Sequence, residues 1–152
     1  MNKQNLPVIL LAILSVLLII AYFNKNNLNE FIADKMREST GAENILSGQQ
    51  WVDSLFNYSE NHENYEFTLI QFKSGGCAIC RQMEPELQKI RNNSLHVNIA
   101  IMNVMNPNSV AVMKYFGVSA VPMHIILDKR GNEIFRKYGY IPAEELADNF
   151  IE

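Results

Sequence analysis

Cys77 and Cys80 are the only cysteines among 152 residues, and they stand together as Cys77-Ala78-Ile79-Cys80. A pair at this spacing can cycle between dithiol and disulfide. One thiolate at a helix N-terminus attacks a disulfide, and its partner a turn further on resolves the product. The same two residues could instead form an inert structural disulfide. With Met123 and His124 they could also offer thiolate, thioether and imidazole to copper or zinc. His124 reads more simply as an ordinary strand residue, and two cysteines cannot build an iron–sulfur cluster.

The elements around the pair are legible from periodicity. A strand-like run, Phe67 to Phe72, leads through Lys73-Ser74-Gly75-Gly76 into a helix marked by Ile79, Met83, Leu87 and Ile90. Cys77 opens that helix and is expected to be exposed, whereas Cys80 shares a face with Met83, Glu84 and Leu87 and should be shielded. Pro85 falls inside the helix and should kink it. A second strand is read at His96 to Val104. A helix then runs from Asn106-Pro107-Asn108 through Val110, Val112, Met113 and Phe116 to a stop at Gly117. Met123 to Leu127 and Glu133 to Tyr138 flank the turn-rich Asp128-Lys129-Arg130-Gly131-Asn132, which predicts an antiparallel hairpin. A last helix is expected from Pro142 to the end, burying Leu146, Ala147 and Phe150. Upstream, Trp51, Val52, Leu55 and Phe56 predict a helix starting near Ser47, followed by a polar break from Asn57 to Tyr65. His62 and His96 read as solvated.

The formal charge of −3, from 13 Lys+Arg against 16 Asp+Glu, offers no basic face for nucleic acid, so no nucleic-acid partner is expected. The hydrophobic share of 48% is inflated by residues 6–23, which carry no charge. That run approaches the roughly 20 residues that a helix needs to cross a bilayer. It exceeds the ~7 to 15 apolar residues of a secretory signal, and no small-x-small site follows it. Residues 1–23 are therefore read as a membrane anchor. Lys3 precedes the run while Lys25, Lys35 and Arg37 follow it, so charge counting does not set the orientation. A dithiol couple suits an oxidising compartment. The expected placement is a single-pass cell-membrane protein with its C-terminal domain extracytoplasmic. Residues 24–47 read as a polar linker in which Leu28, Phe31, Ile32 and Met36 recur at helical spacing, a tether or a helix lying on the membrane. Residues 48–152 suffice for one compact domain.

The element order, with the cysteines opening the second of four helices, resembles the thioredoxin family over residues 48–152. Pro85 matches the family's kinking proline, and Val121-Pro122 its cis-proline facing the disulfide. Gly131 and Gly139 fall at family glycine positions. The resemblance implies an α/β thioredoxin-like fold, a central mixed four-stranded sheet flanked by helices, here with an N-terminal transmembrane helix. The departures are specific. Gln71 stands where thioredoxins carry a buried aspartate that helps move a proton, and the neighbouring lysine is missing near Ile101 and Met102. Gly76 replaces the tryptophan before the first cysteine, and Ala78-Ile79 replaces Gly-Pro. Proton handling is left to water or Glu84.

The resemblance further implies a thiol–disulfide oxidoreductase acting on extracytoplasmic proteins that bear disulfides or thiols. Cys77 is then the nucleophile and Cys80 the resolving thiol. Gly76, Ile79, Val121 and Pro122, with Gly75 and Ile141, would form the apolar rim that receives substrate. The Cys77–Cys80 disulfide is itself the redox centre, with no other cofactor. The protein would exchange electrons with a membrane partner. No positive or polar group lies between the cysteines, which inclines the reading towards a reductase. A metal-binding or metal-carrying module using Cys77, Cys80 and His124 is the alternative, while a redox-dead adaptor is opposed by the intact cysteines.

Overall fold

The computed structural model describes residues 6–61 and 64–150. Lys3, His62 and residues 151–152 lie outside them. Helices α1 (Leu6–Phe23), α2 (Lys25–Ser39), α3 (Ala42–Phe56) and α4 (Tyr58–Asn61) precede the first strand, β1 (Phe67–Lys73). Then follow α5 (Ala78–Asn93), β2 (Val97–Asn103), a 3-10 turn at Pro107–Ser109, and α6 (Val110–Phe116). The hairpin β3 (Met123–Asp128) and β4 (Glu133–Tyr138) leads to α7 (Ala143–Ala147).

The four strands form one mixed sheet in the order β2-β1-β3-β4. β1 pairs parallel with β2 and antiparallel with β3, and β3 pairs antiparallel with β4. Helices cover both faces, so β1 is apolar nearly throughout rather than alternating, with Phe67, Leu69, Ile70 and Phe72 all buried. Leu69 and Ile126 join Met83, Leu87 and Ile90 of α5 and Leu146 of α7 in one core. Ile70, Phe72, Ile125 and Leu127 join Val52 and Phe56 of α3 and Val112 and Phe116 of α6 in the other. The hairpin turn is set by Asp128, whose Oδ1 accepts from the backbone N–H groups of Arg130 and Asn132 at 2.9 Å, and by Gly131 at φ +81°.

Several expectations need correction. The α3 helix begins at Ala42, ahead of Ser47, and the polar break contains the short α4, whose Tyr58 is buried with its hydroxyl 2.6 Å from that of Thr68. The last helix ends at Ala147, which is exposed; Phe150 still reaches the core from the turn that follows. His96 is half-buried with its ring edge-on to Phe67 at 6.0 Å.

The stretch read as a polar linker is helical in α2 and packs on the sheet domain. Ala33 is fully buried, and the Arg37 guanidinium donates to the Phe116 carbonyl at 3.2 Å and to Glu133 at 3.1 Å. Leu28, Phe31 and Ile32 of the same helix face outward. Among the described residues no single helix is long and apolar enough to cross a membrane. Ile9–Phe23 and Asn27–Ser39 meet that measure only as a pair bent by 69°.

Candidate active site

The parallel β1–β2 pair and the antiparallel β1–β3 pair bring two chain segments to one end of the sheet. β1 ends at Lys73 and its chain enters α5 through Ser74–Gly76. β3 begins at Met123, opposite Phe72, so Pro122 arrives beside the same end of β1. Cys77 is the N-cap of α5, in extended conformation at φ −78° and ψ 107°. Its sulfur accepts a hydrogen bond from the backbone N–H of Cys80 at 3.1 Å, the interaction an N-cap side chain makes with a first-turn donor. Cys77 and Cys80 are joined in a disulfide with their Cα atoms 5.2 Å apart. Cys77 is half-buried, while Cys80 is 2% exposed behind it.

The rim around the disulfide is small and apolar. Gly75 and Gly76 are exposed, and a Cβ built on either meets nothing within 4 Å. Ile79 is 44% exposed, Val121 is half-buried and Pro122 is buried. Ile141 does not belong to this rim. It is fully buried in the α5 core, where its N–H meets Met83 Sδ at 3.2 Å, because α7 folds back across that helix.

The Pro122 loop is braced from β4. The peptide bond Val121–Pro122 is cis. Gly139, at φ +88°, donates its N–H to the Pro122 carbonyl at 2.9 Å. The Ser119 and Tyr138 hydroxyls are hydrogen-bonded at 3.2 Å. Pro85 lies inside α5 on its exposed side.

Glu84, the side chain expected to handle protons, is exposed and pairs with Lys73 at 3.5 Å. Gln71 is fully buried and stands directly opposite His124 in the β1–β3 register. Their side chains meet, Gln71 Nε2 to His124 Nε2, at 3.2 Å. Burial pushes the His124 imidazole down to about 4. Gln71 Oε1 and His124 Nδ1 are buried without a hydrogen-bond partner. Reading His124 as an ordinary strand residue missed this pair. The signal was a polar side chain set among apolar ones inside each of two strands, Gln71 in FTLIQFK and His124 in MHIILD. The metal alternative finds no support in this arrangement, since among the described residues no group of three or more His, Cys, Asp or Glu could hold an ion.

On the same side of the sheet, Glu86 of α5 accepts from the N–H of Ala143 at 2.9 Å, which docks the start of α7. The Lys89 ammonium beside it, and then that N–H, hold its carboxyl below the usual carboxylate range.

Residues 56–150 match the thioredoxin-like domain family. The chain is similar to the thioredoxin-like protein HCF164, chloroplastic, of Arabidopsis thaliana, at 31% identity over 105 residues, covering 68% of this chain and 40% of that protein. It is 30% identical over 95 residues to HCF164 of Oryza sativa subsp. japonica, covering 62% of this chain and 36% of the relative. The chain thus spans less than half the length of these relatives. Among solved structures, thioredoxin NaTrxh from Nicotiana alata superposes with a TM-score of 0.52 at 25% identity, over 66% of this chain and 81% of that one. Mitochondrial thioredoxin 3 from Saccharomyces cerevisiae gives 0.53 at 20% identity, over 66% and 86%, a likeness of fold alone. The family match takes in the whole sheet, the cysteine-bearing helix and the Pro122 loop, and by it this chain belongs to the thioredoxin-like family of disulfide oxidoreductases.

Proposed function

We propose that this protein is a membrane-anchored thiol–disulfide oxidoreductase that reduces disulfides of extracytoplasmic proteins, with Cys77 as nucleophile and Cys80 as resolving thiol. The observation that carries the reading is the half-buried Cys77 capping α5 and disulfide-bonded to a buried Cys80. First-turn N–H groups and the helix dipole favour a thiolate at that cap. The Cys77 thiolate attacks one sulfur of a substrate disulfide and expels the other as thiolate, leaving a mixed disulfide. Cys80, deprotonated, then attacks the Cys77 sulfur. The internal disulfide forms and the second substrate sulfur leaves, so two electrons have passed to the substrate. Gly76, Ile79, Val121 and Pro122 give an extended apolar segment a flat place to lie.

The uncharged run at residues 6–23 supports anchoring, and a dithiol couple supports the oxidising side of the membrane. On that side a reductase draws its electrons from a membrane protein. The reductase direction rests on Ala78 and Ile79, which bring no charge or polar hydrogen to stabilise a thiolate.

Exchange measured on the full chain tests the reading. Cys77→Ser abolishes turnover, and Cys80→Ser accumulates mixed disulfides that identify the clients. A Cys77→Ser protein with full exchange activity refutes it. Equilibration against glutathione or dithiothreitol then sets the direction. A potential near about −270 mV marks a reductant, and one near about −120 mV an oxidant.

A further inference from the structure

Helix α2 has two opposed faces, and among the described residues only one of them is covered. Ala33 lies against Gly117, so closely that a Cβ built there would stand 2.5 Å from the Ala33 carbonyl oxygen. Arg37, one turn on, holds the Phe116 carbonyl and Glu133. At about 100° of turn per residue, Leu28, Phe31 and Lys35 fall on the side opposite Ala33, with Ile32 on its flank. Leu28, Phe31 and Ile32 are exposed, Phe31 by 60%. The Lys35 ammonium stands over the Phe31 ring, 6.0 Å from its centroid, and bonds Glu38 at 2.6 Å. Three large apolar side chains on one stripe of a helix are more than the scattered apolar residues of an ordinary protein surface.

We propose that the stripe of Leu28, Phe31 and Ile32 lies in the interface of the bilayer that residues 6–23 enter, which makes α2 a plate with lipid on one side and the sheet domain on the other; this rests on the membrane-anchored reading under Proposed function. Only Asn24 separates α1 from α2. The two helices are bent by 69°, so a span near the membrane normal leaves α2 roughly 20° from the bilayer plane. Tyr22 and Phe23 close α1, exposed and edge-to-face at 5.7 Å. Amphipathic aromatic rings gather at the headgroup level, which puts the boundary of lipid and water where α2 begins. At that inclination and 1.5 Å of rise per residue, Phe31 stands only roughly 3 Å further out than the start of the helix. Interfacial helices bury their apolar face ~5–10 Å into this layer.

The domain on the Ala33 side is charged and stays in water, so the face turned to lipid is the opposite one. Lys35 fits there, because a long cationic side chain can cover apolar surface with its stem and keep its ammonium among the headgroups. The helix carries three basic and three acidic residues, so burial of apolar surface rather than attraction to anionic lipid drives the contact. Arg37 meets Glu133 at the start of β4, and Glu30, two turns earlier, lines a cleft with Arg136, Lys137 and Tyr138. Helix α2 therefore runs along β4, one edge of the sheet, and β2 is the other edge.

The test reconstitutes the full chain in phosphatidylcholine vesicles and places an indole on the stripe by Phe31→Trp, with the wild-type signal of Trp51, the single tryptophan, subtracted. Lipids brominated near the top of their acyl chains are expected to quench the added indole roughly twofold, as suits a face buried ~5–10 Å into the headgroup boundary. The same probe at Ile101→Trp, exposed on β2, is expected to keep its emission. Leu28→Trp repeats the measurement should Phe31→Trp fail to fold. No quenching on the stripe overturns the proposal, as does quenching equally strong at Ile101→Trp. An emission shifted to the blue without quenching also overturns it, because a protein partner or a second copy then covers the stripe. Added phosphatidylglycerol is expected to change nothing, and quenching that appears only with this anionic lipid overturns the proposal of a neutral interface. A wild-type chain that does not float with the vesicles refutes the membrane anchor itself, a distinct outcome.

Discussion

Acid should unfold this protein in part through one side chain. His124 is neutral in the folded chain because burial lowers its imidazole from 6.5 to about 4. In the unfolded chain the ring returns to its ordinary value, near 6.5. The unfolded state therefore binds more protons between those two values, and stability falls as pH drops through that window. Above about 6.5 both states are neutral at this position and nothing is lost. At about 1.4 kcal/mol for each pH unit, the window costs about 3 kcal/mol when fully traversed. In a chain of this size that corresponds to a fall in Tm of roughly 6–12 °C. The assay is thermal or urea unfolding of the disulfide form at intervals from pH 7.5 to 4, in the wild type and in His124→Gln. Carboxylates titrate in both proteins, so the difference between the two curves isolates the imidazole. The wild type should lose about 3 kcal/mol more than the variant across the window, with nearly all of the divergence below pH 6.5. Parallel curves refute the reasoning, because a ring that titrates normally in the folded state is not enclosed against the sheet.

Two further perturbations read other contacts. Gly117→Ala places a Cβ 2.5 Å from the Ala33 carbonyl oxygen at a φ of +63°. Left-handed backbone costs about 1–2 kcal/mol, and relief of the clash lifts α2 from Phe116 at the further cost of a charged hydrogen bond of about 1.5–3 kcal/mol. Urea unfolding is expected to show a loss of roughly 2.5–5 kcal/mol, and proteolysis should cut faster within residues 25–39; a loss below about 1 kcal/mol contradicts the packing described. Glu86→Gln removes the charge that holds the Ala143 N–H, and hydrogen exchange at Ala143 should accelerate in it at neutral pH. Because the Glu86 carboxyl lies below its ordinary value in the fold, its contribution is present at neutral pH and is lost as pH falls through the folded value. The variant should lack that portion of acid sensitivity.

The strands and the cysteine-bearing helix were legible because their signals are local. An apolar run broken by Gly75-Gly76 marks the end of β1. The spacing of Ile79, Met83, Leu87 and Ile90 marks α5, and Asp128 to Asn132 marks the hairpin. The shielding of Cys80 relative to Cys77 also followed from helical spacing alone. What escaped depends on register or docking. No local pattern says that Gln71 will stand opposite His124, since 53 residues separate them and only the β1–β3 pairing joins them. Ile141 looked available to a substrate because the return of α7 across α5 is not written in its neighbours. The same holds for α2. Its low overall hydrophobicity reads as a linker, and only the close approach of Ala33 to Gly117 gives it a place to pack.

That docked helix also sets how the disulfide can search its surroundings. As a loose coil, the 15 residues of α2 would let the domain wander over roughly 20 Å about its point of attachment. Folded and seated against Phe116 and Glu133, they act as a bracket rather than a leash. Whatever holds the start of α2 thereby fixes the direction in which Cys77 faces. Length added between α1 and α2 would then loosen that aim, whereas length added between α2 and α3 would leave it set by the contacts of α2 with Phe116 and Glu133.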